Sequence, residues 1–285
     1  MNNTKVAVVF SEKRSNTFYI NNNLGLIEAL SSLPKNYHVE FFFNTPVMGA
    51  FEKDNKTFWF KNTVKAMAWA VNKYFEPNIF IGVGNANYAW DKIVPEGVKK
   101  IFIYDSYEEP KSDFVWDKVI VPVEDDLLFF PHAKVMSVYN SNLFKPTNST
   151  KHFTYFYPQL TTNIDLLASL TELEETMSFT ELDTLFYLSD FSSSLMKDLL
   201  NQSRVACIIE SDNDVELALS ALACGVPVVT TEDTKASTIE GVHVSLATLP
   251  DFQISLDIAE SEGYKKIDLS KYTIESYNKE LLKLL

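Results

Sequence analysis

The sequence predicts an α/β protein with two domains, each built on a mostly parallel β-sheet. Three observations support this: apolar, β-branched runs alternate with amphipathic segments, the alternation restarts near residue 151, and a polar, turn-rich segment, Asn140–Lys151, separates the two series. A chain of 285 residues is long enough for two domains of ordinary size. We place the boundary between residues 146 and 147, so that residues 1–146 and 147–285 form the two domains.

The first series begins with Lys5–Phe10, a short valine-rich run that is typical of a buried strand. The segment Asn22–Leu33 carries leucines at helical spacing, and Thr63–Phe75 is an amphipathic helix. Further short apolar runs predict strands at His38–Phe43, Asn78–Gly84, Lys100–Tyr104, Lys118–Val123 and Lys134–Tyr139.

The second series repeats this plan. Short β-branched or aromatic runs predict strands at His152–Tyr157, Arg204–Glu210, Val226–Thr231 and Val242–Leu246. Apolar residues at helical spacing predict helices at Asn163–Leu173, Ser192–Gln202, Asp214–Gly225 and Ile274–Leu285. Gly225 is expected to end its helix as a C-terminal cap. Because strands and helices alternate in both series, we expect two Rossmann-like domains whose ligands bind beyond the carboxyl ends of the strands.

Composition narrows the function classes. The formal net charge is −13, from 25 Lys and Arg against 38 Asp and Glu, which argues against broad nonspecific binding to nucleic acid. Cys207 and Cys224 lie in apolar runs and are expected to pack as small hydrophobic residues in a reducing cytoplasm. No run is long and apolar enough for a transmembrane helix, no signal peptide is apparent, and no His or Cys spacing indicates a metal site.

Two segments resemble the family 4 glycosyltransferases and their relatives. "ALACGVPVVTT" (Ala221–Thr231) is similar to the family's "EAMACGxPVV" phrase, and "VYNSNLFKP" (Val138–Pro146) is similar to its interdomain phrase, with Ser141 where the family has glycine. The resemblance implies the GT-B fold, two Rossmann-like domains facing a cleft. It also implies transfer of a sugar from a nucleotide-diphosphate sugar with retention at the anomeric carbon, and no further cofactor.

The resemblance also implies a donor site in the second domain. The family's acidic pair, spaced E-x7-E, falls on Asp212 and Ser220, and Glu216 lies one turn before Ser220 on the same helix face. Asp212, Asn213, Asp214, Glu216 and Ser220 are therefore the candidate donor-binding residues. The family's basic diphosphate clamp has no counterpart in Tyr155–Leu167. A helix N-terminus near residue 214 is expected to bind the phosphates instead, through its unpaired N–H groups and its dipole.

Candidates in the first domain follow predicted strands. Asp105 follows Lys100–Tyr104 where relatives have a His-Asp pair, and is the candidate group that orients or deprotonates an acceptor hydroxyl. Gly84 and Asn85 end another strand and are expected to line the ligand site. Lys13 and Arg14 stand where the family has a glycine-rich loop and are candidates for phosphate or acceptor contacts.

Alternatives remain at this point. The segment Glu210–Glu216 has three interpretations: a donor-site loop, a metal-binding D-x-D motif of the other glycosyltransferase fold, or an acidic helix cap. The acceptor is open among a saccharide, a lipid-linked glycan, a protein and the hydroxymethylated bases of phage DNA. The missing clamp residues also fit a degenerate GT-B protein that binds or assists without turnover.

Overall fold

The computed structural model describes residues 3–13, 24–46, 48–53, 56–157, 179–181, 193–208, 214–246 and 249–285. The chain divides into two compact units. Unit 1 comprises residues 1–20, 27–137 and 277–285, and unit 2 comprises residues 21–26 and 138–276. The main division in sequence therefore falls between residues 137 and 138. The domain boundary expected between residues 146 and 147 stays a prediction.

Unit 1 is built on an eight-stranded sheet of order β3-β4-β2-β1-β5-β6-β7-β8. Its strands are β1 (Thr4–Lys13), β2 (Tyr37–Asn44), β3 (Gly49–Lys53), β4 (Lys56–Lys61), β5 (Ile79–Gly84), β6 (Lys99–Tyr104), β7 (Lys118–Val121) and β8 (Lys134–Val135). All neighbouring strands are parallel except the antiparallel β3–β4 pair at one edge. The parallel arrangement and the β1, β2, β5, β6 and β7 strands confirm the alternation predicted from sequence.

Two details of unit 1 differ from the sequence prediction. The β3–β4 hairpin was not predicted. The strand expected at Lys134–Tyr139 is only two residues long. Beyond Val135, the Met136 N–H still donates to Val121 O at 2.9 Å, and the Ser137 hydroxyl then donates to Pro122 O at 2.5 Å. At Ser137 a side-chain hydroxyl, and not a backbone N–H, bonds the neighbouring segment, and the strand has already ended.

The helices of unit 1 follow their predicted positions. Helix α1 (Leu24–Ser31) begins among residues assigned to unit 2 and continues in unit 1. Helix α2 (Val64–Trp69) is capped by Thr63, whose hydroxyl accepts the Ala66 N–H at 3.1 Å. A π-helix, Ala70–Phe75, continues it. Short 3-10 helices lie at Trp90–Lys92 and Glu124–Leu128.

Aromatic side chains fill the core on one face of the unit 1 sheet. Trp90 is fully buried and meets Trp116 edge-on, with ring centroids 5.4 Å apart. Trp116 stacks on Phe102 at 4.8 Å. Gly82 of β5 leaves the space for these rings, because a Cβ there would lie 2.6 Å from Trp116 Cη2. The core packing therefore requires glycine at position 82 of this strand.

Unit 2 contains a five-stranded parallel sheet of order β10-β9-β11-β12-β13. Its strands are β9 (His152–Tyr157), β10 (Phe179–Glu181), β11 (Ser203–Ile208), β12 (Val228–Thr231) and β13 (Val242–Ser245). Its helices are α3 (Ser193–Gln202), α4 (Asp214–Ala223) and α5 (Leu249–Glu262), with 3-10 helices at Lys235–Thr238 and Ser270–Tyr272. The last helix, α6 (Ile274–Leu281), begins in unit 2 and continues in unit 1 from Tyr277. The structure adds β10 and α5 to the prediction, and the predicted helix Asn163–Leu173 lies outside the described residues.

The end of α4 has the predicted glycine cap. Gly225 has φ +72°, a left-handed conformation that glycine adopts without strain. Its N–H donates to Leu222 O at 3.0 Å, and the Val226 N–H donates to Ala221 O at 3.1 Å, which is the Schellman pattern.

Cys207 and Cys224 are both free and buried, as predicted. Burial raises the pKa of the Cys224 thiol to about 12.

Candidate functional site

In unit 1, the carboxyl ends of β1 and β5 form the point where the strand order reverses. β1 pairs with β2 on one side and with β5 on the other, and such switch points are where open parallel sheets bind ligands. The hydroxyl of Ser11, in β1, accepts the backbone N–H of Asn85 at 2.7 Å. This bond ties the turn after β5 to β1.

The structure brings three predicted residues together at this edge. The backbone N–H of Asp105 donates to Gly84 O at 3.2 Å, so Asp105 lies directly beside Gly84 and Asn85, and it is half-buried. Lys13 lies in β1 opposite Asn44 of β2. Arg14 lies outside the described residues.

Side-chain hydrogen bonds join the loops that follow β5 and β6. Asn85 Nδ2 donates to Glu108 Oε2 at 2.6 Å, and Asn87 Nδ2 donates to Glu109 O at 2.9 Å. The Tyr104 hydroxyl donates to Glu108 O at 2.9 Å. Burial, with a smaller contribution from nearby acids, raises the Tyr104 pKa. The two asparagines in "GNANY" were the sequence signal for these ties, because asparagine side chains commonly bond nearby backbone groups in turns.

Tyr88 lies in the loop that follows β5. Its hydroxyl oxygen is buried and has no hydrogen-bond partner among the residues that the structure describes. Burial raises the Tyr88 pKa to about 12. The ring meets Trp90 edge-on at 5.0 Å, so the aromatic core holds it in place. The Tyr88 hydroxyl is therefore a buried polar group that the described part of the chain leaves without a hydrogen bond.

In unit 2, the corresponding switch point lies between β9 and β11, because β9 pairs with β10 on one side and β11 on the other. Asp212 and Asn213 follow β11 and lie outside the described residues. Asp214, only 1% exposed, begins α4. Its Oδ1 accepts the Val215 N–H at 2.8 Å, and its Oδ2 accepts the Ala236 N–H at 2.9 Å. The carboxylate thus connects the start of α4 to the 3-10 helix Lys235–Thr238.

Glu216 lies in the first turn of α4 and is 7% exposed. Its Oε1 accepts the backbone N–H of Gly25 at 2.5 Å. Both residues belong to unit 2, although 191 positions separate them in the sequence. Ser220 follows one turn later, on the same helix face, and is 1% exposed. Asp214, Glu216 and Ser220, the donor candidates that the structure describes, therefore all lie buried on α4. Asp214 and Glu216 accept hydrogen bonds from backbone N–H groups.

The two threonines that end β12, Thr230 and Thr231, were not among the predicted site residues. The Thr230 hydroxyl donates to Ile208 O at 2.5 Å and is 2.7 Å from the Thr234 hydroxyl. Thr231 Oγ1, in contrast, is buried without a hydrogen-bond partner within the described part of the chain. Two polar residues at the end of an otherwise apolar strand could have indicated these site residues, because parallel sheets bind ligands at the carboxyl ends of their strands.

The described residues contain no group of three or more His, Cys, Asp or Glu side chains arranged to hold a metal ion. None of the described helices has the length and apolar character needed to cross a membrane.

No protein-family model and no curated protein sequence matches the chain. Solved structures do match over nearly its whole length. The UDP-forming α,α-trehalose-phosphate synthase of Burkholderia vietnamiensis is 10% identical with a TM-score of 0.61, covering 99% of this chain and 98% of its own. The UDP-GlcNAc 2-epimerase of Methanocaldococcus jannaschii is 11% identical with a TM-score of 0.53, covering 99% of both chains.

A third match is an α-glucosyltransferase solved in complex with UDP and a 13-mer DNA. It is 8% identical with a TM-score of 0.55, and the alignment covers 100% of this chain and 95% of that protein. At these identities the likeness concerns the fold. Each of the two units described above contains its own parallel or mostly parallel sheet with a switch point. The chain therefore has the GT-B fold, with one Rossmann-like sheet in each unit.

Proposed function

We propose that the protein is a glycosyltransferase that takes its sugar from a nucleotide-diphosphate sugar. The observation that supports this best is the structural similarity to proteins whose names or ligands include UDP. The alignments cover 95% to 99% of the length of those proteins. Positioning of the two substrates and electrostatic stabilisation of the leaving diphosphate supply the catalysis in this proposal. Both rely on fixed backbone and side-chain groups rather than on a cofactor.

The donor is assigned to the switch point of unit 2. Asp212 and Asn213, which follow β11 in the sequence, are the proposed direct contacts to the donor. Asp214 and Glu216 already accept backbone N–H groups, which supports a role in building the frame of the site. The buried Thr231 hydroxyl, which is unbonded in the described part of the chain, is a further proposed donor contact.

The acceptor is assigned to the switch point of unit 1. Asp105 is half-buried beside Gly84 and Asn85, where its carboxylate would orient the acceptor hydroxyl. Lys13, the last residue of β1, and Arg14, the next residue in the sequence, are the proposed contacts for an anionic acceptor or a phosphate.

Incubation of the full chain with UDP, GDP and ADP sugars, with nucleotide-diphosphate release and sugar products measured, tests the proposal. We expect slow donor hydrolysis with at least one sugar. We also expect the Asp105→Asn variant to lose acceptor-dependent transfer, while Asp113→Asn, an exposed acid in the same region, keeps it. Epimerised donor with no nucleotide release would overturn the assignment as a transferase.

A protein that binds a nucleotide sugar without turnover is the second candidate. The internal bonds of Asp214 and Glu216 favour it, because these carboxylates are engaged by backbone groups. Calorimetric titration with UDP and UDP-glucose separates the two candidates: binding without any release over long incubation supports the accessory role. Release at a rate proportional to enzyme concentration excludes it.

The acceptor class is tested separately, with saccharide, lipid-linked glycan, protein and hydroxymethylated DNA in parallel. The α-glucosyltransferase solved in complex with UDP and DNA supports including DNA among the acceptors tested. The net charge of −13 weighs against tight phosphate-driven binding. A gel shift at two salt concentrations decides: binding that weakens steeply with salt supports DNA, and absent binding removes it.

A further inference from the structure

We propose that Glu216 is a positioning residue. Its carboxylate holds the first turn of α1 by accepting a backbone N–H there, and both groups belong to unit 2. In an ordinary Rossmann-like domain, the N–H groups at this helix terminus bind a phosphate of the ligand. Only the kinetic consequence of this proposal rests on the proposed glycosyltransferase function. The contact itself is independent of it.

The hydrogen bond between Glu216 and Gly25 is built like an anion site. The first N–H groups of an α-helix have no partner within the helix, and the helix dipole favours negative charge there. Glu216 Oε1 lies 2.5 Å from Gly25 N, within hydrogen-bond distance, and a hydrogen bond to an ionised carboxylate is stronger than one between neutral groups. At 7% exposure the carboxylate is largely shielded from water, which strengthens the attraction.

Gly25 provides a second, independent observation. A Cβ at residue 25 would lie 2.7 Å from Tyr139 Cα and 3.0 Å from Asn140 N, and both are backbone atoms of unit 2. Only glycine therefore allows the first turn of α1 to approach this backbone so closely. The close approach and the carboxylate act on the same residue, so the beginning of α1 is fixed from two directions.

This arrangement changes where a diphosphate can bind. The start of the helix after the first strand is the usual phosphate site of a Rossmann-like domain, because its N–H groups are free. Here a buried carboxylate of the protein accepts one of those groups. A diphosphate brought to the same N–H would face a like charge at hydrogen-bond distance. We infer that the donor diphosphate does not use the beginning of α1, and that Glu216 holds the first turn of α1 beside the first turn of α4 instead.

Four variants test the role of Glu216: Glu216→Gln, Glu216→Ala, Gly25→Ala and the exposed control Glu240→Gln. Glutamine retains an oxygen that accepts the Gly25 N–H, whereas alanine retains none. Hydrogen exchange of the peptide containing residues 24–31 should accelerate about 10-fold or more in Glu216→Ala and stay near wild type in Glu216→Gln and Glu240→Gln. Formate should partly reverse the change in Glu216→Ala, by occupying the vacated helix terminus.

Donor kinetics distinguish positioning from direct binding. A positioning role predicts that Glu216→Gln keeps the KM for the donor, and that Glu216→Ala raises it in parallel with the exchange rate. If Glu216→Gln raises the donor KM as much as Glu216→Ala while exchange stays slow, the carboxylate binds the donor directly and the proposal is wrong. Unchanged exchange in Glu216→Ala also overturns it.

The two proposals fail in distinguishable ways. A wild-type chain that releases no nucleotide from any sugar removes the glycosyltransferase assignment, and the exchange experiment still decides the role of Glu216. If Gly25→Ala does not fold, the Glu216→Gln and Glu216→Ala pair carries the test alone.

Discussion

Asp214 and Ala236 are joined by a hydrogen bond of 2.9 Å from the Ala236 N–H to Oδ2 of the Asp214 carboxylate. The other oxygen accepts the Val215 N–H, so one buried side chain serves both the beginning of α4 and the turn after β12. Only a carboxylate offers two acceptor oxygens in this geometry, since asparagine would turn an NH2 group toward one of the two donors.

Replacing Asp214 therefore tests whether this bridge stabilises unit 2. We expect Asp214→Asn to lower the free energy of unfolding by about 1–3 kcal/mol, because one buried N–H loses its acceptor. Urea denaturation followed by circular dichroism measures the change. Asp233→Asn removes an exposed acid from the neighbouring turn and serves as the control, with little effect expected. Equal stability of the two variants would show that the bridge contributes nothing.

Gly82 tests the packing of the aromatic core. Alanine at this position places a Cβ 2.6 Å from Trp116 Cη2 and 3.1 Å from Trp90 Cη2, so the rings must shift. We expect Gly82→Ala to destabilise the protein by about 1–3 kcal/mol, as overpacked cores do. Gly49→Ala, where the added Cβ meets nothing within 4 Å, is the matched control. A Gly82→Ala variant as stable as Gly49→Ala would contradict the packing described here.

Thr230 and Thr231 form a natural pair for comparison. Thr230→Val removes a hydroxyl that donates to Ile208 O, so we expect a loss of about 1 kcal/mol in thermal or urea unfolding. Thr231→Val removes a buried hydroxyl that is unbonded in the described structure, so the folded state should be equally or more stable. If Thr231 contacts the donor, its valine variant should bind UDP-sugar more weakly without losing stability. The reverse order of stability would contradict the assigned bonds.

Tyr88 predicts a specific alkaline sensitivity. Its folded-state pKa is raised from the ordinary value of 10.0 to about 12, because burial disfavours the phenolate. The neutral ring therefore contributes its full stability below pH 10, and that contribution is lost as the pH rises toward 12. We expect Tyr88→Phe to match or exceed wild-type stability at pH 7 and to lose less stability between pH 9 and pH 11. An identical alkaline decline in both proteins would show that Tyr88 ionises freely.

Much of the fold was predictable because local patterns determine it. The valine-rich and phenylalanine-rich runs of β1, β2, β5 and β6 are buried on both faces of a parallel sheet, which makes them continuous apolar runs. Gly225 ended α4 as its sequence position indicated. The β3–β4 hairpin was missed because its strands are bounded by charged residues and mix apolar with polar side chains, a weak pattern at an edge.

The candidate site was predictable only in part. Gly84 ends β5, Asn85 follows it, and Asp105 follows the neighbouring strand β6, so the order of the sheet alone brings them together. The bond between Gly25 and Glu216 has no local signal, because its residues are 191 positions apart. Sequence spacing placed Glu216 on the donor face of a helix, but only the tertiary structure shows which N–H group it accepts.

The four tryptophans at positions 59, 69, 90 and 116 all belong to unit 1. Intrinsic tryptophan fluorescence will therefore report the melting of that unit alone, whereas far-ultraviolet circular dichroism follows both. Coincident curves from the two probes would establish cooperative, all-or-none unfolding of the whole chain, and separated curves would give each unit its own midpoint. The uneven placement of indole rings makes this a label-free measurement of interdomain cooperativity.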